Sequence, residues 1–264
     1  MIAAWRREGN AAAAIAAREI TKGIKNPTLL IVSIVMPIIF IGLMGGSLSQ
    51  NMAGGLGYNF LQFMMIGMIV NSTFTGLVSG MSSLIEERNQ NLTQELYVSP
   101  ISRYTIIVGK MIGSSFSSLV GLLGILLVAL LMNIPLGGMH IVYLFLLTPL
   151  FCLVAGSLGI LFIGFVQDSK SADIGSMMIV MPQMFLSGAM IPIQHSTGLL
   201  GFLAKLMPMT YCIDFARAVF YAGTPEYDLV VIHHPLTDLA VMAACFLVFT
   251  VVGTIMFTRS ERNR

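Results

Sequence analysis

Charged side chains are scarce in this sequence: only 10% of its 264 residues are Asp, Glu, Lys or Arg, against about 25% in an average soluble domain. None of the four occurs between Lys25 and Glu86. Hydrophobic residues make up 56% of the chain and the mean hydropathy is +0.86. A soluble domain of this length could not hide that much apolar surface, so the bilayer must serve as solvent for much of it. A net charge of only +2 excludes an electrostatic case for nucleic acid. Cysteine is equally sparse. Cys152 and Cys245 lie in apolar runs and Cys212 stands alone, so all three read as small packing residues rather than a disulfide or metal set.

Chemistry-bearing motifs are missing too. There is no G-x-x-x-x-G-K-[ST] phosphate loop, so the chain is not expected to bind and hydrolyse ATP itself. There is no H-E-x-x-H, and His233-His234 with Asp238 read as polar loop residues rather than a metal site. No ionisable residue lies near the middle of an apolar run, which argues against an ion-coupled carrier. No His/Asp/Glu or Ser/His set shares one depth, so no catalytic residue and no cofactor of its own are expected. The N-terminus does not read as a cleavable signal peptide: Arg6-Arg7 precede an alanine-rich, charged stretch.

What is present is a series of long apolar runs: 28–48, 60–84, 105–131, 141–166, 174–193 and 236–257. Each is continuous rather than alternating, which predicts an all-α polytopic membrane protein of six spans and not a β-barrel. With the N-terminus inside, 12 of the 14 basic residues fall on inner segments or, for Lys110, close enough to snorkel there; only Lys205 and Arg217 do not. This bias places both termini in the cytoplasm of a plasma-membrane protein.

Three segments are not simple spans. Residues 10–26 read as an amphipathic helix on the membrane surface. Arg18, Lys22 and Lys25 share one face, with Glu19 beside them, and Ala13, Ala17, Ile20 and Ile24 share the other. A cytosolic stub that only sets topology is the plainer alternative. The inner loop 86–103 (EERNQNLTQELYVSPISR) carries Glu86, Glu87, Arg88, Leu92, Glu95, Leu96, Tyr97, Ser99, Pro100 and Arg103. Leu92 and Leu96 lie one helical turn apart and Ser99-Pro100 stops the helix, which suits docking into a groove on a soluble partner as well as it suits a bare connector. The outer region 194–235 predicts two short helices separated by Pro208, arranged as a re-entrant hairpin, with Asp214 and Arg217 spaced for an i, i+3 salt bridge.

Polar content inside the runs is mild. Asn71, Thr73 and Thr75 are candidate pathway or dimer-face residues. Recurring small residues (Gly76 and Gly80, Gly109 and Gly113, Gly156 and Gly159) allow close helix approach, within the chain or between two copies.

Three stretches resemble the ABC-2 family of permeases, the membrane halves of ATP-binding-cassette exporters: AAREITKGIKNPTLL leading to Met36-Pro37; EERNQNLTQELYVSPISRYTIIVGK (Glu86–Lys110); and FLSGAMIPI (Phe185–Ile193) continuing to LMPMTYCIDFARAVF (Leu206–Phe220). The loop glycine expected near Asn91 is absent, Gln94 with Glu95 stands at the acidic position, and Met207 replaces the usual Asn before Pro208. The resemblance implies a dimer of permeases, most simply a homodimer, bound to two ATPase subunits that carry ATP and Mg. It makes 86–103 the coupling loop and the surface helix an aid in transmitting its motion. By resemblance to drug-resistance-type members the cargo is an amphipathic compound, such as a drug or antibiotic. A lipid-linked glycan is the alternative within the family, and an ion-driven carrier the alternative outside it.

Overall fold

The computed structural model describes residues 2–52, 57–89, 102–166, 168–194 and 196–262. Among these the chain is all-helical. Helix α1 (Ile2–Ile24) is followed by α2 (Pro27–Pro37), a π-helical stretch (Ile38–Gly45) and α3 (Gly46–Met52), which run on as one rod. Pro37 lacks the N–H that a regular helix would use, and the wider π turn begins directly after it. Then come α4 (Phe60–Asn89), α5 (Arg103–Leu131), α6 (Gly138–Phe165), α7 (Ser169–Leu186), α8 (Gly198–Leu206), α9 (Pro208–Phe220), the single turn α10 (Tyr227–Val230) and α11 (Pro235–Arg262).

Helix starts follow local chemistry. Asn59 Oδ1 accepts from the N–H groups of Leu61 and Gln62 ahead of α4. Ser102 caps α5 by accepting from Tyr104, and Asp168 caps α7 by accepting from Ser171. Each satisfies a backbone donor that the helix itself cannot. Hydroxyls inside the helices bond to carbonyls one turn back, as Thr73 does to Ile69, Ser82 to Val78 and Thr148 to Leu144. That is how hydroxyls are tolerated where no water reaches.

Helix α4 is the hub. It packs on α5, α6, α7 and α9, and Phe63, Met64, Ile69, Phe74, Leu77 and Met81 on it are fully buried. Around it α6 pairs with α11 and α5 with α1. Small residues set these contacts. A methyl group at Gly80 would sit 2.1 Å from Ser114 Oγ, at Gly113 2.4 Å from Glu19 Cβ, and at Gly253 2.6 Å from the backbone nitrogen of Leu161. Gly76, Gly109, Gly156 and Gly159 likewise meet neighbours of their own chain. The recurring small residues therefore have intrachain partners.

Among the described residues, five helices or continuous runs are long and apolar enough to cross a membrane: 30–51, 60–87, 104–131, 138–165 and 235–256. The bent pair α8–α9, broken by 84° at Met207, would make six if it were one span. The predicted fifth run, 174–193, differs in extent. Its helix begins earlier, at Asp168's cap, and stops at Leu186. Gly188 follows with φ +83°, a left-handed turn that ends the helix, and Pro192 lies beyond it. The first turns of α7 also carry Lys170 and Asp173, which lower its apolar character. In the 194–235 region Pro208 opens the second helix rather than merely separating two, as its fixed φ allows at a first helical position. That helix, α9, is buried in the core against α4, α6 and α11, not a peripheral cap.

The glycine contacts give a direct test. Gly253→Ala should destabilise the chain by about 1–3 kcal/mol, because only backbone atoms lie in the methyl's way. Gly9→Ala, with open space around it, should be neutral or stabilise by up to about 1 kcal/mol. Unfolding in mixed micelles by denaturing detergent measures both; equal midpoints would contradict the packing described.

Candidate functional site

The segment joining α4 to α5 is flanked by a buried ionic junction. Glu87 lies in the last turn of α4, Lys110 in the second turn of α5, and Glu19 and Lys22 on α1, which crosses both. Lys110 Nζ donates to Glu19 Oε1 at 2.8 Å and to Glu87 Oε1 at 3.0 Å, and Lys22 Nζ donates to Glu87 at 3.1 Å. The Lys110 side chain is 1% exposed and Lys22 half-exposed. Two cations balance two carboxylates, and the cation between the acids offsets a desolvation cost that neither acid could bear alone. A second clamp lies nearer the N-terminus. Glu8 accepts from the Ser102 N–H at 3.1 Å and from the Thr105 hydroxyl, at the very start of α5. The Thr105 hydroxyl first, then the Ser102 N–H, hold the Glu8 carboxyl below its ordinary pKa.

Helix α1 reaches this junction because α5 presents glycines to it. Ala16 and Gly23 are buried on the protein-facing side, between half-buried Ala12, Ile15 and Glu19. Gly109 meets Ala12 and Ile15, and Gly113 meets Ala16 and Glu19. The sequence reading divided α1 into a cationic and an apolar face; the structure adds a third, protein-facing one. Arg18 and Lys25 stay exposed, as do Ala13, Ala17 and Ile24, whereas Glu19 and Lys22 turn to the junction. Lys110 does not snorkel outward as expected. Its signal was available: a lysine one turn inside an apolar helix needs a carboxylate, and Glu19 and Glu87 are acids of the same end.

Of the predicted loop residues, Glu86, Glu87 and Arg88 close α4, Glu86 being exposed, and Arg103 opens α5. Leu92, Glu95, Leu96, Tyr97, Ser99 and Pro100 lie outside the described residues. The three polar residues of α4 do not share a face. Thr73 is fully buried against α5, where Ser118 donates to its carbonyl, while Asn71 and Thr75 lie one turn apart on another side. Thr75 is exposed, and Asn71 keeps a buried Oδ1 without a hydrogen bond.

At the other end of α4 the expected Asp214–Arg217 salt bridge is not formed. Asp214 accepts from the N–H groups of Ile232 and His233 at 2.8 and 2.7 Å. Arg217 instead donates to Gly188 O at 2.8 Å and Phe63 O at 3.2 Å, with its guanidinium carbon 3.4 Å from the Phe63 ring centre. The reason is local. The turn after α7 leaves the Gly188 carbonyl without a helical donor, and the segment before α11 leaves two N–H groups without acceptors, so each ion serves a different loop.

Two outcomes follow. Lys110→Met should cost about 3–5 kcal/mol, the penalty for leaving Glu19 without its cation and Glu87 with only the half-exposed Lys22; an unchanged unfolding midpoint would contradict the junction. The Glu8 clamp should be fully present above the ordinary glutamate value of about 4.3 and be lost as pH falls through the lower folded-state value. The single tryptophan, Trp5, precedes Glu8 by three residues in the sequence. Its emission should change on acidification below pH ~4 in wild type, and the same titration in Glu8→Gln would contradict the clamp.

Comparison with known proteins fits this architecture. The chain is 25% identical over 201 residues to the transport permease ycf38 of Porphyra purpurea, covering 74% of this chain and 69% of that one. It is 26% identical over 162 residues to the inner membrane transport permease YhhJ of Escherichia coli K12, covering 60% of this chain and 43% of that one. The ABC-2 type transporter family profile matches residues 10–221, from the α1 that docks on the junction to the end of α9. The chain belongs to the ABC-2 type transporter family of membrane permeases.

Proposed function

We propose that this chain is the permease half of an ATP-driven exporter: it binds no nucleotide, and a separate ATPase subunit supplies the energy. The supporting observation is the ionic junction. Residues 90–101 connect two helices that are locked to α1 and to one another, by Lys110 between Glu19 and Glu87 and by Glu8 on Ser102 and Thr105. A force applied to the 90–101 segment therefore reaches α1, α4 and α5 together. That is the property a coupling loop needs, and it gives Glu95, Leu96 and their neighbours the role of contact with the ATPase. Two copies of the chain, each with one ATPase, would carry ATP and Mg on the ATPases alone.

In this reading α7 is the remaining span. Its 18 residues extend about 27 Å, close to the hydrocarbon thickness. Ile174, Met177, Met178, Met181 and Phe185 on it are exposed, a helical stripe suited to lipid. Helices α8 and α9 form the re-entrant pair: Leu199, Phe202 and Leu206 of α8 face outward and apolar while α9 is buried. Helix α1 lies at the cytoplasmic headgroups, with Arg18 and Lys25 toward lipid phosphate, and both termini are cytoplasmic. The cargo is an amphipathic small molecule, by resemblance to drug-resistance-type members of the family.

The purified chain should show no ATPase activity and should copurify with an ATP-binding subunit; turnover by the isolated chain would contradict the reading. Leu96→Asp combined with Glu95→Lys should abolish transport in proteoliposomes while insertion stays intact, and undiminished transport would remove the loop from the mechanism.

A further inference from the structure

Three acceptor groups converge beside the α9–α11 contact. Asp214 comes from α9, His233 from the segment after α10, and Asp238 from the first turn of α11. One atom of each lies within 4.8 Å of the others. His233 Nδ1 is 3.1 Å from Asp214 Oδ2 and 3.5 Å from Asp238 Oδ1.

The three groups differ in what satisfies them. Asp214 already accepts two backbone N–H groups. Asp238 is fully buried, and neither of its carboxylate oxygens has a hydrogen bond. A buried carboxylate without a donor is among the most costly arrangements a protein can hold. A proton on His233 Nδ1 would serve Asp214, the nearer acid, and leave Asp238 unsatisfied. With both acids ionised, a neutral ring with Nδ1 bare would put three lone pairs against one another, and a proton on Asp238 is the arrangement that competes with an ion. A cation among the three satisfies Asp238 and His233 Nδ1 together while leaving Asp214 its two backbone donors.

We infer that Asp214, His233 and Asp238 form a binding site for a divalent transition metal of the zinc class. One imidazole and two carboxylates are the donor set of borderline metals such as Zn(II). Ligand atoms about 2.0–2.2 Å from a tetrahedral ion stand about 3.3–3.6 Å apart; the separations from His233 Nδ1, 3.1 and 3.5 Å, lie close to that range, and the two carboxylates lie within 4.8 Å of one another. The partial exposure of His233, 22% for its side chain, leaves one side open for entry and for a water ligand. The two backbone N–H groups on Asp214 and the Tyr211 ring stacked on His233 at 5.4 Å hold the ligands in place. A bound ion would staple α9 to α11.

The test uses the full chain in detergent, with affinity tags removed and metal stripped by chelator. Titration with zinc chloride should give one ion per chain. His233→Ala and Asp238→Asn should each weaken binding by about tenfold or more, and Asp228→Asn, at an exposed acid on α10, should not. Absence of binding at millimolar zinc, or binding unaltered by the first two changes, would overturn the assignment. Should either variant fail gel filtration, wild type decides by X-ray absorption. A shell of one imidazole with carboxylate oxygens supports the site, and a sulfur-containing or imidazole-free shell overturns it.

Discussion

Burying a lysine ammonium is tolerable only if carboxylates come with it, and that requirement organises one end of this molecule. Lys110 is 1% exposed and holds acids from two other helices. Because Glu19 belongs to α1 and Glu87 to α4, the ion joins α1 to the bundle, alongside the Glu8 clamp and the seating of Ala12, Ile15 and Ala16 on the α5 glycines. The apolar residues Ala13, Ala17 and Ile24 of α1 face away from the bundle. Gly109 and Gly113 are the steric half of the same arrangement, since any larger residue would hold α1 too far away for Glu19 to reach.

The second buried cation, Arg217, lies at the opposite end of α4. Its contact Phe63 and the Lys110 contact Glu87 are 24 residues apart, about 36 Å of helix. That exceeds the hydrocarbon thickness of about 30 Å. Between Phe63 and Glu86 the polar groups on α4 are only hydroxyls and the Asn71 amide, the hydroxyls of Thr73, Thr75 and Ser82 bonded within the helix. The two ions are thus farther apart along α4 than the hydrocarbon is thick, and the stretch of α4 between them carries no charge up to Glu86, as a membrane span requires.

Much of this was legible in the sequence because a membrane imposes length and polarity on each segment separately. The spans at 60–84, 105–131 and 236–257 appear within helices of nearly those bounds. What was not legible depends on partners far apart in the chain. The i, i+3 spacing of Asp214 and Arg217 suggested a local pair, but unsatisfied backbone groups at Gly188, Ile232 and His233 compete better than an ion pair does. Lys110 was read as free to reach water because Glu19 and Glu87 lie 91 and 23 residues away. The end of α7 was placed too late, since apolar residues continue past Gly188 and hydropathy does not register a left-handed turn.

The claim that the buried Lys110 ion sets the position of α1 against α5 can be measured as a distance. Spin labels at positions 18 and 112, both exposed, placed on a background without native cysteine, report the α1–α5 separation by double electron–electron resonance in nanodiscs. The account predicts a single narrow distribution for Lys110 and a broad or displaced one for Lys110→Met, with other helix pairs unaltered. An equally narrow, unshifted distribution in Lys110→Met would show that α1 is held by something other than this ion.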